Sequence, residues 1–175
     1  NLNELSKLKP NCNYSKNKLK TEKKLLKKLK NRILVLRISN LIGLHKYRNS
    51  NKKIHKTFID IFFSNVQKGI IFNNGKNYKD FLSINKFNEI IEKLINKKAV
   101  GVYNVSLGRK VYLNELINWL NLLNKNKYKC IDIPKGQKTE CFYLNNDKLM
   151  KKINIENRLI DLEKDCKTVS RIFFK

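Results

Sequence analysis

The run Ile33-Leu34-Val35-Leu36, continuing to Ile38, is the stretch on which the reading of the fold turns. It is short, apolar and rich in branched residues, and such a run favours a buried strand of a parallel sheet over a helix. The residues after it, from Asn40 to Lys53, hold Gly43 and many polar side chains and read as a long loop. In α/β sheets, ligands bind beside loops at the carboxy ends of strands. Before the run, Leu19, Leu25, Leu26 and Leu29 form an apolar stripe flanked by lysines, which predicts a helix over residues 12–30. A polar segment, residues 1–11, leads into it through Pro10-Asn11.

Working outward, a helix is expected over residues 54–68, ended by Gly69. Ile70 to Phe72 reads as a strand, Asn73-Asn74-Gly75 as a turn, and Tyr78 to Ser83 as another strand. Phe87, Ile90, Ile91, Leu94 and Ile95 recur at the spacing of an amphipathic helix. Val100 to Val105 alternates as a strand does, and Leu113, Leu116, Ile117, Leu120 and Leu123 line one face of a helix that includes Trp119. Cys130 to Ile133, Pro134-Lys135-Gly136 and a helical tail complete the chain. Strands alternating with helices predict an α/β fold. A parallel sheet needs several crossover units, yet only one strongly buried strand is evident, so the sheet reads as incomplete.

Composition narrows the classes. With 175 residues, 41% of them hydrophobic, the chain supports one ordinary core and is expected to form one compact unit. No apolar run approaches the ~20 residues that cross a bilayer. The amino terminus also lacks a signal-peptide core, so a cytoplasmic location without a membrane partner is expected. The formal net charge of +25 would ordinarily point to nucleic acid. The excess is nearly all Lys and travels with Asn and Ile along the whole chain, as A/T-rich codons would produce. A nucleic-acid binder concentrates Arg and exposed aromatics on one surface, so nucleic acid is not the expected partner. The residues 20–30 read as the solvated face of their helix. Cys12, Cys130, Cys141 and Cys166 form no CxxC pair, and His45 and His55 are the only histidines. No zinc spacing results, and no metal is expected; the thiols read as reduced. The chain starts at Asn1 and its only methionine is Met150, so coding sequence is expected upstream.

Tyr14 and Lys18 stand four apart and so share one helix face. An ammonium beside a tyrosine stabilises the phenolate and makes the side chain a usable general acid or base. In so lysine-rich a chain this spacing alone carries little, and it reads equally as a surface lysine beside a half-buried tyrosine. Its setting carries more. Glu4, Leu8 and Pro10, then Tyr14-Ser15-Lys16-Asn17-Lys18-Leu19 and Glu22, resemble the YxxxK region of the NAD-dependent epimerase/dehydratase family, the extended short-chain dehydrogenases. Leu36-Arg37-Ile38-Ser39-Asn40-Leu41-Ile42-Gly43 is similar to that family's LRxxNxYG strand and loop. Gly75 followed by Lys79-Asp80-Phe81-Leu82-Ser83-Ile84 resembles its G…RDFIHV segment. Gly101-Val102-Tyr103-Asn104-Val105, with Gly108, Val111, Leu113, Glu115 and Leu116, resembles its GxYNxGxGxxxSLxEL segment. The four occur in the family's order and cover about residues 4–120.

The resemblance implies a partial Rossmann-type, NAD(P)-binding fold: the last part of the parallel sheet plus the small α/β substrate-binding domain. Residues 1–175 would be a single partial unit, with 1–45 ending the nucleotide-binding domain and 46–175 forming mostly the substrate-binding region. The implied activity is that of a nucleoside-diphosphate-sugar epimerase or dehydratase, similar to UDP-glucose 4-epimerase, using NAD or NADP; a ketoreductase is a sibling. Tyr14 would be the catalytic acid/base. Lys18 would bind the nicotinamide ribose beside it, so that both are catalytic and cofactor-binding. Asn40 would contact the nucleotide-sugar, although an asparagine there also suits capping of its own loop. Lys79 would meet the diphosphate where an arginine is usual, keeping the charge and losing the fork. Arg37 fits a structural ion pair equally well. Ser83 replaces the family's usual histidine, Lys86 stands where an aspartate is common, and Ile42 replaces a tyrosine. No GxxGxxG loop is present, and the catalytic Ser/Thr would lie upstream of Asn1. The chain is therefore expected to be an amino-terminally truncated fragment, inactive alone, whose partners are the missing amino-terminal half or a second copy in a homodimer. Exposed strand edges would make it poorly soluble or self-associating. Two other readings stay open: a non-catalytic basic nucleic-acid-binding protein, and an inactive structural relative.

Overall fold

The computed structural model describes residues 1–43, 57–73, 75–132 and 141–174. The decisive apolar run forms strand β1 (Leu34–Ile38), which pairs in parallel with a strand at Gly101–Val105, Leu34 opposite Gly101 and Ile38 opposite Val105. The chain does not enter a loop at Asn40. The Ser39 N–H donates to the Val105 carbonyl at 3.0 Å, and the next N–H, that of Asn40, donates to the Asp80 carbonyl at 3.3 Å. A second strand, β2 (Asn40–Ile42), then pairs in parallel with Phe81–Ser83. One run of chain thus changes partner between Ser39 and Asn40. The expected loop is corrected over these residues because Leu41 and Ile42 find apolar cover, Ile42 being 1% exposed. The remainder of that loop, residues 44–53, and the expected helix start at 54–56 lie outside the described residues.

Helix α2 (Phe58–Gln67) opens with a reciprocal cap: the Asp60 N–H donates to the Thr57 hydroxyl, and the Thr57 N–H donates to the Asp60 carboxylate. Gly69 follows at φ 70°, the left-handed turn that ends a helix. Strand β3 (Ile70–Asn73) pairs in parallel with Lys129–Asp132. In the expected turn the Gly75 N–H donates to the Asn73 side chain at 3.1 Å, and Asn74 lies outside the described residues. The strand expected over 78–83 is two: β4 (Tyr78–Lys79), antiparallel to Val111–Tyr112, and β5 (Phe81–Ser83), with Asp80 at the break. Helix α3 (Ile84–Asn96) follows at once, then β6 (Gly101–Val105), β7 (Val111–Tyr112), α4 (Leu113–Asn121) and β8 (Lys129–Asp132). Ile133 and Pro134-Lys135-Gly136 lie outside the described residues. The helical tail is two helices, α5 (Asp147–Ile153) and α6 (Leu159–Phe173).

Strand alternation in β5 divides the interior. Phe81 points into a core built by α2, α4 and α6, with Phe62, Leu116, Leu120 and Leu162, where Phe63 stacks on Phe173 at 3.7 Å between centroids. Leu82 points the other way, into a core of Ile90 and Leu94 from α3, Val105 from β6, and Leu149 and Ile153 from α5. Each such side chain, taken fully out of water, contributes about 1.5–3 kcal/mol, so β5, buried at all three residues, is the seam of the molecule. The expectation that β1 is the strongly buried strand is corrected. All its residues keep partial exposure, because among the described residues β1 has a single ladder neighbour, β6.

Ahead of β1 lies α1 (Asn13–Leu29), followed by a 3-10 turn at Lys30–Arg32. The predicted leucine stripe is there, yet α1 has no buried residue, and Leu25 is 38% exposed. Among the described residues no helix is long and apolar enough to cross a membrane.

Candidate functional site

Helix α1 starts on Cys12. The Cys12 N–H donates to the Ser15 hydroxyl at 3.2 Å, and that hydroxyl donates to the Cys12 carbonyl at 2.9 Å. The Ser15 hydroxyl also meets the Cys12 sulfur at 3.3 Å and holds this exposed thiol below its ordinary titration range. Tyr14 and Lys18 then stand one turn apart, and the Lys18 ammonium lies 5.5 Å from the Tyr14 ring centroid. The expected pair is therefore together, on an open face: Tyr14 is 67% exposed. A further turn along the same face, the Glu22 carboxylate takes the Arg37 guanidinium in a two-pronged grip, Nε to Oε2 at 3.3 Å and Nη2 to Oε1. Arg37 also donates to the Glu4 carbonyl at 2.9 Å. It is thus the structural ion-pair partner, and it fastens α1 to β1 three residues before Asn40.

Among the described residues, Asn40 bonds to a distant segment and not to its own loop. Its backbone N–H and its side-chain Nδ2, at 3.3 and 2.9 Å, both donate to the carbonyl of Asp80, forty residues away. Lys79, immediately before Asp80, is half-buried and stands opposite Val111 on the β4–β7 ladder. Among the described residues it forms no ion pair. The structure brings Asn40 to the carbonyl of the residue that follows Lys79, and sets Tyr14 and Lys18 on the helix that Arg37 ties to β1.

Asp80 itself was not singled out from the sequence. It is 0% exposed, and its carboxylate accepts the Leu107 N–H at 3.0 Å, the Gly108 N–H at 3.2 Å and the Leu144 N–H at 3.1 Å. Burial pushes its titration up to about 6, against the pull of those donors and the Ser106 hydroxyl. The available signal was an acid inside an apolar strand, which must find donors. Gly108 sits at φ 83°, and a Cβ there would lie 2.4 Å from the Asn146 side-chain oxygen, so only glycine fits. Asn104, 1% exposed, performs a second closure: its Nδ2 donates to the carbonyls of Leu2 and Asn145, while its N–H donates to the Glu4 carboxylate. The departures at 83 and 86 have structural roles. The Ser83 hydroxyl caps α3 by accepting the Lys86 N–H at 3.1 Å, and Lys86 pairs with Glu89 at 2.7 Å. Cys12, Cys130, Cys141 and Cys166 are free thiols; burial pushes the Cys166 thiol up to about 12.

No protein-family model matches the chain, and no curated protein matches it. Solved structures do. UDP-N-acetylglucosamine 4-epimerase from Methanobrevibacter ruminantium M1, in complex with UDP-N-acetylmuramic acid, is similar at a TM-score of 0.71 and 20% identity, over 97% of this chain and 56% of that one. dTDP-glucose 4,6-dehydratase from Bacillus anthracis, in complex with NAD, is similar at 0.70 and 20%, over 96% and 54%. UDP-glucose 4-epimerase from Thermotoga maritima, with UDP-glucose, is similar at 0.72 and 20%, over 98% and 56%. The chain spans just over half the length of these structures. The likeness gives the fold, a partial Rossmann-type α/β arrangement with parallel strand pairs.

Proposed function

We propose that the chain supplies the proton-handling and nucleotide-sugar side of an NAD(P)-dependent sugar-nucleotide epimerase or dehydratase of the extended short-chain dehydrogenase type. The observation that carries this reading is the Tyr14–Lys18 pair, 5.5 Å from ammonium to ring centroid, on an open helix face fastened by Glu22 and Arg37 to the strand that leads to Asn40. In this reading the Tyr14 oxygen exchanges a proton with a sugar hydroxyl, and Lys18 holds the nicotinamide ribose beside it. The donor set fits such a group, since a phenol and an ammonium on an accessible face match ribose hydroxyls. NAD(P), when bound, supplies hydride exchange with the sugar carbon. Lys79 meets the diphosphate as a point charge, and Asn40 meets the sugar.

The sequence has no GxxGxxG loop, so the pyrophosphate of the cofactor needs a cradle from other polypeptide. Among the described residues α1 buries no side chain and β1 pairs on one side alone, and together they offer the surface on which that polypeptide would sit. Four unpaired cysteines suit a reducing, cytoplasmic setting. The test is titration of UDP-glucose into isotope-labelled protein. Shifts at Asn40 and Lys79, weakened about tenfold in Lys79→Ala by loss of a charge-assisted contact, support the reading; saturating UDP-glucose without a response at either residue sinks it.

The nucleic-acid reading draws on one observation of its own. On the β4–β7 ladder Tyr78 and Tyr112 meet edge to face at 6.0 Å, with the Lys110 ammonium 4.9 Å from the Tyr78 ring. Because that ammonium already covers the Tyr78 face, the stacking surface is small. Binding to a single-stranded oligonucleotide that falls steeply with salt and is lost in Tyr112→Ala would favour it.

A further inference from the structure

Asp80 sits between two unlike pairings, with antiparallel β4 on one side of it and parallel β5 on the other. The side chain at this change of pairing reaches two other segments of the chain. An ionised carboxylate offers about four acceptor positions, and this one receives the N–H groups of Leu107, Gly108 and Leu144. Two separate segments, the turn after β6 and the chain entering α5, are thus hung on one side chain. The carbonyl of the same residue accepts both the backbone and the side-chain N–H of Asn40. The groups that act on the carboxyl are these N–H dipoles and the nearby Ser106 hydroxyl; the nearest cation in sequence, Lys79, stands opposite Val111 on the β4–β7 ladder.

We infer that Asp80 is the positioning residue of the candidate nucleotide-sugar site: its carboxylate fixes the peptide whose carbonyl orients the Asn40 amide and whose neighbour is Lys79. This rests on the reading of Asn40 and Lys79 as nucleotide-sugar contacts. The coupling from carboxylate to Asn40 amide is independent of that reading. A shift of the Asp80 peptide moves both contacts together, so one buried acid sets the geometry of two ligand contacts without itself meeting the ligand.

The experiment is a proton titration of wild-type, isotope-labelled protein followed by nuclear magnetic resonance, with no ligand present. The N–H signals of Leu107, Gly108 and Leu144 and the side-chain amide of Asn40 are expected to move together, with one midpoint near 6. Movement of the three backbone signals with a still Asn40 amide would overturn the inference, leaving a merely structural clamp, and stillness of all four would overturn it as well. In Asp80→Asn the four signals are expected to stop titrating, and UDP-glucose affinity to fall about tenfold. If the four titrate together but UDP-glucose leaves Asn40 and Lys79 unmoved in the wild type, the coupling holds and the nucleotide-sugar reading is what fails.

Discussion

The Arg37 guanidinium, on the strand that leads to Asn40, closes on the Glu22 carboxylate of the helix that carries Tyr14 and Lys18. Their side chains are 20% and 15% exposed, so the pair is screened from solvent and holds α1 where its own leucines do not. Arg37→Ala would strand a half-buried carboxylate and is expected to destabilise the fold by about 1–3 kcal/mol. The denaturant midpoint measures this, and a change within error would show that α1 is held otherwise.

Tyr14→Phe is expected to change stability by less than about 0.5 kcal/mol, because the residue is 67% exposed. A positioned proton-transfer group contributes about a hundredfold or more to turnover, so in a protein with catalytic turnover the same substitution should abolish it while the melting curve stays in place. A displaced melting curve would assign Tyr14 to the fold instead.

For Asp80 the sign follows from a folded titration near 6 against an ordinary value of 3.8. The protonated form is favoured on folding, so its stabilising contribution is complete below 3.8 and is lost as pH rises through about 6. Relative to Asp80→Asn, the wild type is expected to lose about 2 kcal/mol between pH 4 and pH 7. Parallel stability profiles of the two proteins would contradict it.

Leucines of similar size should differ sharply by location. Leu120→Ala, at a residue 0% exposed, is expected to cost about 2–5 kcal/mol. Leu25→Ala on α1, at 38% exposed, is expected to cost less than about 1 kcal/mol. Equal losses, read from unfolding midpoints, would mean that α1 is covered in solution.

What was legible in the sequence was local. The spacing of Phe87, Ile90, Ile91, Leu94 and Ile95 gave α3, and the four-residue step gave the shared face of Tyr14 and Lys18. What failed was long-range. Leu41 and Ile42 lie between polar residues and a glycine, and only pairing with Leu82 and Ser83 of β5 makes them a strand. β1 has the composition of a strand covered on both faces, but cover depends on neighbours that composition does not report. Asp80 read as one letter of a motif, while its weight comes from N–H groups at 107, 108 and 144.

The most direct test of the proposed role of Tyr14 and Lys18 is magnetisation transfer between NAD and the protein at millimolar NAD. The account predicts contacts from the nicotinamide-ribose protons to the Tyr14 ring and the Lys18 side chain, lost in Lys18→Ala. Contacts of NAD that avoid both residues, or that survive Lys18→Ala unchanged, would contradict it.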